Sequence, residues 1–253
     1  MKQLFILLLL VSGLGSYAKE TKVIIRAKAR DGKFVGSSLG GAYIIIRNNL
    51  NNQILAEGKT AGTTGNTQLI MQTPLSRGGS ICDDQTAKFE ANIDIAEPTA
   101  VSITVYAPLN NRQAQTKVST ELWLIPGKHI LGDGIILEIP GFIIDILTPR
   151  THQYIPLHTI AGKPFAVQAN MVMMCGCVIQ KGGIWNADKI EVKGILKKDG
   201  QYIREVELSL IATNLFEGNF PITTRGDYEL TVYAYDPATG NTGIDKVNYV
   251  VFE

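Results

Sequence analysis

At 253 residues the chain is long enough for one or two domains of ~150 residues each. It is 45% hydrophobic and 19% charged, with 25 Gly and 10 Pro, which supplies a core but also more turn-formers than a helical protein uses. The formal charge is +1; with Lys2 set aside, 23 basic residues balance 23 acidic ones, which excludes the broad positive field that draws nucleic acid or anionic lipid.

The first residues read as an export signal. Lys2 supplies the positive start, residues 4–11 are an unbroken apolar run, and Ser16-Tyr17-Ala18 places small residues at both cleavage-determining positions. The run is too short to span a bilayer, and nothing later reaches ~18 consecutive apolar residues. The expectation is a cleaved signal peptide over 1–18 and a mature chain, periplasmic or secreted, with no transmembrane segment. No cysteine stands directly after the small residues at the cleavage site, so a lipid anchor on cysteine is not expected. Three cysteines allow at most one internal bridge in an oxidising compartment.

From Thr21 onward the pattern is period-two alternation with turn punctuation. Strands are predicted over 23–29, 43–47, 54–57, 89–95, 101–107 and 117–125. Asp31-Gly32-Lys33, the Asn-rich 48–52 and the Gly-rich 58–65 are the intervening turns, and 73–85 is a long loop carrying Cys82. Pro126-Gly127 and Gly132-Asp133-Gly134 are expected to break the chain. The apolar stretch 135–147 reads as the last strand of a first domain running into the first strand of a second. Flexible linkers are polar and Gly/Ser-rich, so this apolar connection predicts two domains packed together. In the second, 165–177 is the central strand. Residues 190–196 and 202–211 form a hairpin about Lys197-Lys198-Asp199-Gly200, 226–236 is a further strand, and 247–252 is an edge or final strand. Domains are placed at 19–147 and 148–253.

The stretch "AYIIIRNNLNNQILAEGKTAGTTGN" resembles the carboxypeptidase-regulatory-like and transthyretin-like sandwich family, which implies a β-sandwich without catalytic residues that carries binding loops or acts as a spacer. The segment "GDYELTVYAYDPATGNTG" is similar to the last two strands of bacterial immunoglobulin-like and fibronectin-type sandwiches. Tyr228 stands at the tyrosine-corner position of that pattern, where the hydroxyl caps the backbone of the preceding loop. Leu230 stands where antibody domains carry a cysteine, so the resemblance implies no inter-sheet disulfide. Ile103-Thr104-Val105-Tyr106-Ala107 and Leu230-Thr231-Val232-Tyr233-Ala234 echo each other as two similar strands.

Unusual chemistry is concentrated in Asn170-Met171-Val172-Met173-Met174-Cys175-Gly176-Cys177. On a strand, Phe165, Val167, Ala169, Met171, Met173, Cys175 and Cys177 share one face. One reading has Met and Cys filling an irregular core. Another bridges Cys175 to Cys177 through a kink at Gly176, since same-face neighbours ~6.5–7 Å apart lie at the upper edge of disulfide geometry. A third pairs Cys82 with one of them. Met174, Cys175 and Cys177 are also soft ligands suited to Cu(I), though the tight ligand spacings of zinc sites are missing. His129, His152 and His158 read as surface or junction residues.

Enzymatic patterns fail. Gly58-Lys59-Thr60 imitates the tail of a P-loop, but Gln53 stands where a glycine is required; no G-x-S-x-G elbow and no H-E-x-x-H occur. Asp83-Asp84 reads as a solvated loop pair, and Cys82 has no histidine nearby in sequence. Trp123, Trp185, Tyr233 and Tyr235 are candidates for an aromatic platform. The reading is an all-β protein of two packed β-sandwich domains after a cleaved signal peptide, not an enzyme and without cofactor. It binds another protein or a cell-envelope component, through loops such as 76–85, 175–186 and 237–243. The alternative is a periplasmic copper or thiol-redox protein, which requires Cys175 and Cys177 exposed.

Overall fold

A computed structural model of the protein describes residues 17–253. The expected export signal lies, except for Tyr17 and Ala18, outside the described residues. In the first half, β1 (Lys19–Ala29), β2 (Tyr43–Asn48), β3 (Ile54–Lys59), β4 (Phe89–Ile95), β5 (Thr99–Ala107), β6 (Thr116–Leu124) and β7 (Ile130–Ile139) form two sheets, ordered β4-β1-β7 and β3-β2-β5-β6. Alternation decides what lies between them. Ile44 and Ile46 of β2 and Val101, Ile103 and Val105 of β5 share one buried core with Val23, Ile25 and Ala27 of β1 and Ala91 and Ile93 of β4. A helical turn, α1 (Thr67–Met71), was not foreseen; Asn66 caps it by accepting from the Leu69 N–H.

Strand β1 is buried on both faces, because Ile24 and Arg26 are covered as well. The Arg26 guanidinium donates to the carbonyls of Thr86 (2.5 Å), Ala87 (3.1 Å), Asp133 (3.2 Å) and Gly132 (3.3 Å). A buried cation is tolerable when its fork of donors meets that many acceptors, and here it ties the β3–β4 connection to β7. Gly132-Asp133-Gly134 does not break the chain. It lies inside β7 as an irregularity, with Gly132 and Gly134 at φ 70° and 69° and the register against β1 shifting between Val23 and Ile25. A Cβ on Gly134 would stand 2.3 Å from the Ile24 carbonyl oxygen.

The second half contains β8 (Phe142–Thr148), β9 (Gln153–Pro156), the helical turn α2 (Leu157–Ile160), β10 (Pro164–Met173), β11 (Ile179–Gln180), β12 (Trp185–Asn186), β13 (Glu191–Lys198), β14 (Gln201–Glu207), β15 (Ser209–Ala212), β16 (Leu215–Pro221), β17 (Gly226–Tyr235) and β18 (Thr242–Phe252). Its sheets run β15-β16-β10-β8 and β14-β13-β17-β18-β9, with a short β11-β12 pair beside them. The β13–β14 hairpin turns on Asp199 and Gly200, both at positive φ (49° and 79°), as a two-residue turn of right-handed strands requires. One expected strand is corrected, and two pairings go beyond the expectation. The strand expected over 202–211 breaks at buried Leu208, so β14 and β15 join different sheets. Strand β16 was not anticipated. Strand β18 is the final strand, one of the two expected alternatives, and not an edge: β9 pairs with it in parallel on the side away from β17.

The Tyr228 hydroxyl donates to the Thr224 carbonyl oxygen at 2.8 Å, four residues back, as the corner position predicts. Its ring stacks on that of Tyr249 at 5.3 Å and 12°.

Hydrogen bonding passes from one half to the other at Pro140-Gly141, since β7 pairs with β1 and β8 with β10. The expected boundary after Leu147 therefore falls within β8. One polar side chain sits at this crossing. Asn241, fully buried, accepts from the Gly141 N–H (2.8 Å) and donates to the Arg30 carbonyl (3.1 Å). The Trp185 Nε1–H donates to the Asp31 carbonyl (2.6 Å) close by.

Replacing Asn241 by Ala leaves the buried Gly141 N–H and the partly buried Arg30 C=O unpaired, with an expected loss of about 1–3 kcal/mol by urea denaturation; a loss near zero would contradict this placement. The two stacked tyrosines should behave oppositely. Tyr228→Phe removes a made hydrogen bond and should cost about 1 kcal/mol. Tyr249→Phe should be neutral or stabilising, because its buried hydroxyl has no hydrogen-bond partner among the described residues.

Candidate binding groove at the junction

Where the halves meet, a groove of about 550 Å³ opens, within the range of small-ligand sites. Phe142 and Met174 line it from the second half's packed interior, Tyr233 and Tyr235 from β17, and Ile244 from β18. The opposite wall is residues 113–116, which lead into β6 of the first half. Both tyrosines lie on the face of β17 opposite the core residues Leu230, Val232 and Ala234, which is why alternation exposes them.

Carboxylates contact two of the lining residues, Gln113 and Tyr233. The Gln113 amide donates to Asp145, whose carboxyl is held above its usual range by burial and then by the charge of Asp245. Asp245 in turn accepts from the Ile146 N–H at 2.8 Å. The Tyr233 hydroxyl reaches Glu191 (3.2 Å) and Glu205 (3.3 Å), and Lys193 bridges the same two carboxylates at 3.3 and 3.2 Å. Burial, and then the Glu205 charge, push the Tyr233 phenol up. The groove thus combines an apolar floor with aromatic and amide edges, and its lining residues include no Ser, Cys, His, Asp or Glu.

The sulfur stretch lies beside it, arranged differently from a continuous strand. Strand β10 ends at Met173, and Gly176, at φ 73°, turns the chain, its N–H donating to the Met173 carbonyl (2.7 Å). Met171 and Met173 face the core; Met174 reaches the groove. Cys175 and Cys177 are joined to each other, with Cα atoms 5.3 Å apart. They are buried, at 1% and 8% exposure, so the exposed pair that a redox role requires is not present. The turn packs on the first half: a Cβ on Gly32 would stand 3.3 Å from the Cys175 sulfur, and one on Gly176 would touch Leu39 at 3.4 Å.

Cys82 is unpaired and half-buried in another place. Its loop is anchored on Asp133, which accepts from the Ser80 hydroxyl and from the Ile81 N–H (3.0 Å). Burial, then a hydrogen bond to Asp133, push its thiol up to about 12. Asp83 is occupied locally, accepting from Thr86 Oγ1 (2.6 Å) and the Gln85 N–H (3.1 Å). The histidines are dispersed: His129 Nδ1 accepts from the Lys22 N–H (3.0 Å), the His152 ring meets Tyr154 edge-on at 5.6 Å, and His158 lies in α2. Among the described residues no group of three or more His, Cys, Asp or Glu side chains gathers where it could hold a metal ion. The four aromatics do not form one platform. Tyr233 and Tyr235 line the groove, Trp185 is buried at the junction, and Trp123 is exposed at the end of β6. Phe142 and Gln113 were missed, because nothing in their local sequence marks them as neighbours of β17.

The pairing and layering define an all-β protein of packed sandwich sheets. No family model matches the chain and no curated protein does. Among solved structures it is similar to an engineered protein (15% identity over 48% of this chain and 22% of that chain, TM-score 0.33). It is also similar to fibronectin(III)-like modules of Clostridium thermocellum CbhA (13% identity, 83% and 77%, TM-score 0.29). A third similarity is to the titin domains Z1Z2 in complex with telethonin (10% identity, 93% and 95%, TM-score 0.27). At such TM-scores these likenesses carry no functional argument, and no family is assigned.

The thiolate is the reactive form of cysteine, so a thiol pushed up to about 12 should react slowly at neutral pH. Iodoacetamide labelling of Cys82 at pH 8 should be at least ~100-fold slower in the folded protein than in urea, and should accelerate steadily as pH rises. Equal rates in both states would show that the loop does not hold the thiol.

Proposed function

We propose that this protein is an exported, non-catalytic binding module that presents the junction groove to a partner, either another protein or a cell-envelope component. Two domains, which meet at Pro140-Gly141 so that β8 belongs to the second, act as one rigid unit in this reading. The observation that carries it is the groove itself: about 550 Å³, with an apolar floor, two tyrosine edges from one half and an amide-rich wall from the other. Interfaces favour rigid aromatic anchors of this kind. Export rests on Lys2, the apolar run 4–11 and Ser16-Tyr17-Ala18. The immunoglobulin-like and fibronectin-type resemblance is part of the same reading, supported by the Tyr228 corner. No cofactor enters it.

The alternative, a copper or thiol-redox protein acting through Met174, Cys175 and Cys177, has one support: Met174 lines the groove immediately before the joined cysteines. It requires the pair to open, because bonded sulfurs are not thiolate ligands.

Fractionation of a Gram-negative host expressing the full chain should place the protein in the periplasm or medium with Lys19 at its N-terminus, and deletion of residues 2–18 should retain it in the cytoplasm. Export without that segment would overturn the signal assignment. Thiol counting on the unfolded mature protein should find one thiol before reduction and three after. Three at the outset, together with a stoichiometric ion retained from Cu(I), would favour the alternative.

A further inference from the structure

A second groove, of about 540 Å³, lies on the outer face of the first half's four-stranded sheet, separated from the junction groove by residues 112–115. Register pairing places one residue from each of its four strands in a single row. Lys59 of β3 is opposite Tyr43 of β2, Tyr43 is opposite Tyr106 of β5, and Tyr106 is opposite Lys117 of β6. Neighbouring strands lie about 4.8 Å apart, so the two half-buried tyrosines stand side by side with an exposed ammonium group beyond each. The Lys117 ammonium is 5.9 Å from the Tyr106 ring centre. Arg112, Asn110 and Gln115 rise along one side. That side is fixed: the Asn110 N–H donates to the Leu39 carbonyl (3.1 Å) and the Leu109 N–H to the Gly41 carbonyl (3.2 Å). The one carboxylate at the row, Glu57, accepts from the Tyr43 hydroxyl at 2.8 Å. Lys59, Arg112 and Lys117 form none of the ion pairs found among the described residues.

We propose that this groove binds an acidic oligosaccharide, with sugar rings lying on Tyr43 and Tyr106 and sugar carboxylates held by Lys59, Lys117 and Arg112. Sugar rings offer apolar C–H faces to an aromatic surface and hydroxyl edges to amides, which is what the two tyrosines, Asn110 and Gln115 supply. The three cations, against a single engaged carboxylate, select a ligand carrying negative charge. Three cations are too few for a nucleic-acid track, which needs several phosphate contacts in series. The groove opens on the sheet's face rather than along an edge strand, so a peptide cannot enter it by strand addition.

The proposal rests on the reading of the protein as a binding module but uses a different groove, and the experiment keeps the two apart. Titration calorimetry of the mature protein with oligogalacturonate should show binding that weakens with added salt, and a neutral cello-oligosaccharide of equal length should bind at least about tenfold more weakly. Tyr106→Ala and the pair Lys59→Gln, Lys117→Gln should each weaken oligogalacturonate binding about tenfold or more with unchanged thermal midpoint. Trp123→Ala, on the same sheet, and Tyr235→Ala, in the junction groove, should leave it unchanged. Absence of oligogalacturonate binding by the unaltered protein, or equal binding by the folded Tyr106 and lysine variants, would overturn the proposal. Loss confined to Tyr235→Ala would overturn it as well, and would return the activity to the junction groove.

Discussion

The arrangement of the two halves depends on one fully buried amide. Asn241 holds the N–H of Gly141 and the carbonyl of Arg30, which belong to the crossover and to the end of β1. Without it the buried Gly141 N–H and the partly buried Arg30 carbonyl would lose their partner, and that cost makes the geometry of the crossing specific. The loop that carries Asn241 is itself tightly specified. Asp236 accepts from the Ala238 N–H and the Thr239 hydroxyl, and its own N–H donates to the Asn241 carbonyl. Trp185, the Cys175–Cys177 turn and the groove all stand around this point, so their positions follow from it.

The same device recurs at Arg26, where a buried cation gathers carbonyls from two separate segments. In both cases irregular backbone is fixed by a polar side chain that reaches it from a regular strand or a well-built turn. Segments that would otherwise be free loops thereby become rigid walls. Residues 112–115 are such a wall, anchored through Gln113 to Asp145 on one side and forming the rim of the tyrosine row on the other. Grooves on a β-sandwich need this kind of support, because the flat outer face of a sheet offers little concavity by itself.

The sulfur-rich stretch shows how sequence and structure divide the explanation. Its alternation was legible up to Met173, since Phe165, Val167, Ala169, Met171 and Met173 are all buried. Beyond that, the strand reading failed at Gly176, whose positive φ turns the chain and brings Cys175 and Cys177 to a Cα separation of 5.3 Å. The aromatic residues divide in the same way. Tyr233 and Tyr235 were legible as neighbours on one face of β17, whereas Trp185 was not legible as a junction residue because its partner, Asp31, is far away in the chain.

By itself the sequence determined many of the strand-forming segments, though not β9 or β16, most of their inward faces, the Asp199-Gly200 hairpin and the corner hydrogen bond of Tyr228. All of these are set by period-two burial or by φ preferences acting within a few residues. Tertiary structure alone decided that β7 continues through its glycines, that β14 and β15 part at Leu208, that β18 gains a parallel neighbour, and that two grooves flank residues 112–115. These depend on which distant main-chain groups must be paired once buried, and local propensity carries no information about partners a hundred residues away.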